Sequence, residues 1–508
     1  MARKRRQFSS EFTRKRFLQA AGGAAAWVAL GGALGCEPAP RARARAASAP
    51  AGRAWNFRSR PDLHPPVIEV TRRARDTAPG HIFIAPKNGP EEAGPGQDGC
   101  MILDNDGQPV WLRLLQNEDM DVMDFKAQTY KGETVLTWWE GVHTGYGQGE
   151  YVILDGSYQE IARVRAGNGY EGDHHEFLIT PEDTALITIY HKVPMDLSGV
   201  GGPVDGSVLD GIVQEIDIQS GEVLFEWHSL EHVGLEESLY EPPPDLRAPF
   251  DYFHINSIDP MPGGYLIISA RRTCAVYKVS RRTGEVVWRL GGEKSDFEMG
   301  YGTRTDWQHD ARRQEDGTIT IFDNGNVNRV EQSRAIVIEI DEDTMSASLA
   351  REYTHPDKLS SATQGNAQVL PNGNVLVGWG SEPVISEFDH DGRLLFSAAY
   401  PAEGESYRAF RLPWSGQPTD NPAIVAELGP EDEITIYASW NGATEVTTWQ
   451  VLAGSAPDRL EPLASVPRKG FETVITLHTT EPYVGLNALN DSGQALGATG
   501  LFELEDRT

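Results

Sequence analysis

One β-unit recurs six times through the middle of this chain, and that repetition limits the fold more than any other feature. Each unit carries four strands, and the fourth bears a recurring tag. It is legible as Asp106-Gly107-Gln108-Pro109-Val110-Trp111, Ser220-Gly221-Glu222-Val223-Leu224-Phe225, Thr283-Gly284-Glu285-Val286-Val287-Trp288 and Asp391-Gly392-Arg393-Leu394-Leu395-Phe396. Degenerate copies stand at Asp155-Gly156-Ser157 and Asp341-Glu342-Asp343. Neighbouring tags are spaced roughly 50–60 residues apart, which suits a propeller blade. Second strands are expected at 134–139, 185–190, 265–270, 318–322 and 374–378, each after a Gly, Pro or Asp turn. The spacing predicts an all-β, six-bladed β-propeller over residues 65–412. A β-sandwich array and a solenoid fit the same pattern less well.

Beyond Tyr400 the pattern changes. Alternating segments at 434–440, 446–452, 474–478 and 484–489, with an Asp491-Ser492-Gly493 turn, predict a small fibronectin-like β-sandwich over 413–508. No catalytic grouping is visible there.

The first 35 residues read as an export signal. Thr13-Arg14-Lys15-Arg16-Phe17-Leu18-Gln19 approximates a twin-arginine motif, and an apolar, Gly-rich stretch follows. Leu34-Gly35-Cys36 resembles a lipoprotein cleavage box, although Ala33 stands where Leu is usual; lipidation at Cys36 and ordinary cleavage within 42–49 both remain open. An exported protein is expected in the periplasm or at the cell surface, anchored there if Cys36 is lipidated. Residues 36–64, rich in Ala, Arg and Pro, are expected to be a disordered tether. Cys100 and Cys274 fall in units that should not touch, so they are expected as buried thiols rather than a disulfide.

Formal charge is −29, and the cationic leader makes the body more acidic still. Nucleic acid is therefore excluded as a partner, and an anionic substrate would need a local cationic pocket. Oligomeric state is not legible.

Antiparallel strands bring the start of strand one and the end of strand two to one face. The long connections 192–210, 229–252, 291–307 and 323–333 open onto it. Aligning the first strands puts Asp124, His175, Asn256, His309 and Gly365 nearest the axis. His254 lies two before Asn256 and should point the same way. Arg271, His191 and Asn324 end second strands on that face. Only one of His174 and His175 should line the funnel, because neighbouring strand residues alternate, and the alignment favours His175. His143, His228, His232, His355 and His390 fall outside the pattern and are expected at the surface. Imidazoles, amides and a guanidinium around one mouth make an anion-binding arrangement. A zinc held by His175, His254 and His309 is disfavoured by the neighbouring Arg271, so neither metal nor other cofactor is expected.

The same residues carry a resemblance. His254-Ile255-Asn256-Ser257, Ile268-Ser269-Ala270-Arg271, Trp288-Arg289-Leu290-Gly291-Gly292, Gln308-His309-Asp310 and Phe322-Asp323-Asn324-Gly325 resemble the arylsulfotransferase family over roughly residues 65–415. No phosphosulfate-binding P-loop is present. The resemblance implies a six-bladed propeller and transfer of a sulfuryl group from an aryl sulfate to a phenol by a ping-pong route. It implies His309 as the nucleophile that is transiently sulfurylated, with His254, Asn256 and Arg271 about the sulfuryl oxygens and a further His matching His174 or His175, most plausibly His175. Well-understood members carry an N-terminal sandwich and a cysteine pair near the site, which this sequence lacks. Two other readings are carried beside it. One is a non-catalytic propeller binding a sulfated or carboxylated ligand. The other is a quinone-dependent dehydrogenase, suggested by the Gly-Glu-Val-Val-Trp tag but wanting a carboxylate-rich calcium site.

Overall fold

The computed structural model describes residues 42–46, 54–88, 96–115, 119–143, 145–325, 332–401 and 404–504. The export signal and Cys36 lie outside the described residues. The body is all-β: the helical pieces among the described residues are Ser229–His232 and two three-residue turns.

Among the described residues six sheets follow one another along the chain, antiparallel except where the short strand Glu298–Met299 runs parallel to Ser346–Tyr353. The second runs Asp121–Tyr130, Glu133–His143, Gly147–Leu154 and Glu160–Val164; the third runs Asp173–Ile179, Thr184–Met195, Gly206–Asp217 and Val223–His228. The fourth runs Ile255–Met261, Tyr265–Ala270, Ala275–Ser280 and Val286–Gly291. The fifth begins His309–Arg313, Ile319–Asp323, and the sixth Asn366–Val369, Val375–Gly378. Each sheet is a meander, as expected where Val, Ile and Leu runs are cut by Gly or Asp turns.

The first unit departs from the simple repeat. Its innermost strand is Ala409–Leu412 from the far end of the chain, paired with His81–Ile84. The strand Glu69–Arg73 instead pairs with Leu394–Ala399 as the outermost strand of the sixth sheet. Such an exchange covers edges that would otherwise be open to pairing. The innermost strands touch in order: Ala409–Leu412 meets Asp121–Tyr130, which meets Asp173–Ile179, and so on to Asn366–Val369, which meets Ala409–Leu412 again.

Two further sheets follow. Ala423–Leu428, Glu433–Ser439 and Glu472–His478 form one; Thr448–Gly454, Glu461–Pro467 and Tyr483–Leu489 lie in the other. Ile434, Ile436, Trp449, Val451, Ile475 and Leu486 from both share one buried core.

The expected tether is corrected here. Ala42–Ala46 is a strand paired with Glu472–His478. Trp55, Phe57 and Leu63 are buried, and the Ser59 hydroxyl donates to Glu472 at 2.6 Å. Composition misleads because the aromatic residues that pack are few and the Ala/Arg run alternates like an edge strand. Cys100 and Cys274 are both free and buried.

Candidate functional site

The innermost strands are bulged at one level. Pairing register shifts between Met123 and Lys126, Asp173 and Phe177, Ile255 and Ser257, and His309 and Arg312. Asp124, His254, Asp310 and Gln364 hold left-handed backbone, φ 56°, 56°, 56° and 67°. A bulge inserts an unpaired residue and re-aims its neighbours, so a strict period of two fails at the very level where the site forms.

At that level a cavity of about 240 Å³ is lined by His143, His174, His175, His254 and His309 together with Lys87, Arg271, Arg272, Met123, Gln364 and Tyr407. Larger cavities of about 1040, 790 and 350 Å³ lie elsewhere and are lined by no histidine among the described residues.

His309 opens its strand and is buried. Its Nδ1 faces two acceptors, the Trp307 carbonyl at 3.0 Å and Asn324 Oδ1 at 2.7 Å. The amide of Asn324 is fixed in that sense because its Nδ2 donates to the carbonyls of Ser361 and Gln364. Nδ1 therefore carries the proton, and Nε2 keeps its lone pair, meeting among the described residues the Gln364 backbone N–H at 3.3 Å. Burial, reinforced by the Arg271 charge, pushes the imidazole well below its ordinary range, so it is neutral near pH 7.

Arg271 is buried with its guanidinium over the Trp307 ring, 5.0 Å from the centroid. Its Nη2 donates to the Ala362 carbonyl at 2.9 Å, while its buried Nε has no hydrogen-bond partner among the described residues. A buried, unmatched donor on a cation is costly unless a ligand meets it.

Two imidazole–carboxylate pairs stand beside these residues. His175 Nδ1 donates to Asp173 Oδ1 at 2.5 Å, and His254 Nδ1 to Asp251 Oδ2 at 2.5 Å. The rings of His175 and His254 meet edge to face, 5.0 Å between centroids. Burial pushes His254 down to about 4 even with Asp251 opposing it. Burial also pushes His174 well below its ordinary range. The Tyr407 hydroxyl reaches the carbonyls of His175 and Asn256 at 3.2 and 3.3 Å, forming part of the floor.

Below the floor, Arg408 is fully buried among carboxylates. It lies 2.8 Å from Asp124, 3.2 Å from Glu176 and 3.5 Å from Asp310, and Lys126 and Arg312 join the same network. Asp124, aligned with the site residues in the sequence, belongs to this ionic plug.

Several expectations change. Both His174 and His175 line the cavity, because the bulge after Asp173 breaks the alternation. His254 reaches the cavity but Asn256 does not: it is fully buried behind the wall, where its Nδ2 donates to the Gln308 carbonyl at 2.7 Å. Asn324 also stands back, acting on His309. His143 is not a surface residue; its ring sits 4.7 Å from that of His174. His355 is buried too, against Trp379. Asp173, Asp251, Tyr407, Lys87 and Gln364 were not anticipated. Asp173 directly precedes the His pair and Asp251 lies three before His254, so local carboxylates were the available signal.

Asp173, His174 and His175 also present three potential ligand atoms within 4.8 Å of one another, a different set from the one weighed above. The Asp173 oxygens already accept from the His175 ring and the Gly147 amide. As it stands, the trio is an oriented imidazole rather than an open chelate.

The sequence model of the arylsulfotransferase (ASST) family matches residues 126–400, just over half of the chain. The chain belongs to this family. That membership makes sulfuryl transfer its class of activity, with small aryl sulfates and phenols as the substrates implied. No curated protein matches this arylsulfotransferase-family chain. Among solved structures, a protein of unknown function from Bacteroides caccae is 12% identical, with TM-score 0.39, over 65% of this chain and 98% of its own. A catalytically inactive virginiamycin B lyase from Staphylococcus aureus with quinupristin is 9% identical, with TM-score 0.34, over 81% and 99%. The β-propeller domain of Cps50 from Myceliophteria thermophila is 11% identical, with TM-score 0.31, over 71% and 100%.

Proposed function

We propose that this chain is an exported aryl-sulfate sulfotransferase that works by double displacement through a sulfurylated His309. The scaffold is read as a six-bladed propeller over 65–412 with a β-sandwich over 413–508. The observation that carries the reading is the His309 tautomer: a neutral, buried imidazole whose unprotonated Nε2 shares one small cavity with the unmatched Nε of Arg271.

In the first half-reaction Nε2 attacks sulfur, the N–S bond forms, and the S–O bond to the aryl group breaks. The phenolate oxygen takes a proton from His175, whose ring Asp173 orients through Nδ1. Arg271 holds the sulfuryl oxygens as charge shifts toward the leaving oxygen, and the Gln364 N–H, released from the lone pair, is free to meet another. In the second half-reaction a phenol enters, neutral His254 or the now neutral His175 accepts its proton, and the N–S bond breaks in favour of the new S–O bond. Asn256 supports this chemistry from behind the wall by holding the Gln308 carbonyl next to His309.

Cavity size supports double displacement over a ternary complex. A cavity of about 150 Å³ accommodates one benzene. At about 240 Å³ this one is of a size for a single ring and its sulfuryl group, which suits donor and acceptor taking turns.

Export is part of the proposal. Processing within residues 42–49 would cut into or remove the strand Ala42–Ala46, so a cut upstream of it, with lipid on Cys36, fits the fold better. Incubation with a chromogenic aryl sulfate, with and without added phenol, tests the activity. Phenol-dependent release of chromophore and formation of the new aryl sulfate are expected; binding without turnover would leave only the anion-binding reading.

A further inference from the structure

Among the described residues the cavity is lined by three cations, Lys87, Arg271 and Arg272, and by no carboxylate, in a chain of formal charge −29. Sulfuryl transfer uses one of them, Arg271. Arg272 is engaged by Asp251 at 3.3 Å and by the Tyr240 ring at 3.7 Å. Lys87 is left over. Its side chain is only 11% exposed, and it pairs with Glu405 at 3.1 Å, which occupies one of an ammonium's three donors. Lys87 belongs to the first sheet's connection and Arg271 to the fourth sheet, half-way round the order of six. Its charge reaches the cavity interior: after burial, it is the next cause holding the neighbouring His143 below its ordinary range.

We infer that the aryl substrates carry a second anionic substituent, a carboxylate or sulfonate on the same ring, which Lys87 receives while the sulfur end sits at Arg271 and His309. This rests on the sulfotransferase reading above and narrows its substrate class to small, one-ring acidic phenols and their sulfates. A neutral ring would leave a nearly buried ammonium facing the cavity with Glu405 as its counter-charge among the described residues, whereas an anionic ring adds to its hydrogen bonding. The volume admits one ring with its two substituents.

The test compares acceptors of equal size, 4-hydroxybenzoate and a neutral 4-substituted phenol, with phenyl sulfate as donor. The wild-type chain should favour the carboxylated acceptor by about tenfold or more in kcat/KM. Lys87→Met should bring that ratio near one, and Lys87→Arg should keep most of it. Equal use of the two acceptors by the wild type, or an unchanged ratio in Lys87→Met, overturns the inference. Absence of transfer to either acceptor counts against the sulfotransferase reading itself. The inference is then decided by equilibrium binding of the same two phenols to wild type and Lys87→Met, where equal affinities refute it.

Discussion

Asn324 Oδ1 lies 2.7 Å from His309 Nδ1, and this contact decides which nitrogen of the imidazole can react. The amide cannot turn over, because its other end donates to two backbone carbonyls. Asn324→Ala removes the shorter of the two contacts that hold the tautomer and leaves the Trp307 carbonyl at 3.0 Å to hold it alone. A loss of about 10–100-fold in kcat, with KM little changed, is expected from steady-state kinetics.

Arg271 makes a different kind of contribution. Its planar fork spans the Ala362 carbonyl, the Trp307 face and the cavity at once, and a lysine ammonium cannot. Arg271→Lys should lower the rate of His309 sulfurylation by about 10²–10³. Rapid-mixing measurement of chromophore release in a single turnover checks this.

His254 gives the protein a pH dependence of stability. Its folded-state pKa, about 4, lies below the ordinary 6.5. Between those values the unfolded chain binds a proton that the folded chain refuses, so stability falls as pH drops through this window and is regained above it. The contribution reaches about 3 kcal/mol, and His309, also held low by burial, acts in the same direction. Urea unfolding at pH 7 and pH 5 should show a smaller loss for His254→Asn than for the wild type. The neutral His309 also means that kcat/KM should hold on the acid side to well below pH 6.5.

Much of this was legible in the sequence, for a reason. The strands at 265–270 and 374–378, and those beyond 430, are marked by alternation between strong turn residues, and local pattern suffices for them. The convergence of His175, His254, Arg271 and His309 was legible because a repeat puts equivalent positions at equivalent heights. Three things were not. The bulges that bring both His174 and His175 inward, and turn Asn256 away, depend on backbone left-handedness at single residues. The exchange that gives Ala409–Leu412 to the first sheet joins positions more than 300 residues apart, which no local pattern reports. The packing of Trp55, Phe57 and the Ala42–Ala46 strand depends on partners near Phe471 and Glu472.

The plug below the site makes its own prediction. Arg408 is enclosed by Asp124, Glu176 and Asp310, and truncating it leaves buried carboxylates without their main counter-charge. Arg408→Met should destabilise the fold by roughly 3–5 kcal/mol, read as a shift in the urea midpoint. It should also loosen Asn256, whose carbonyl Arg408 holds at 2.8 Å.

The central claim is the covalent one, and peptide mass analysis after incubation with an aryl sulfate and no acceptor tests it most directly. One added sulfuryl group is expected on the peptide containing His309, lost on adding a phenol and never formed in His309→Ala. Sustained transfer by the wild type with no adduct on that peptide, or an adduct on another residue that survives His309→Ala, would contradict it.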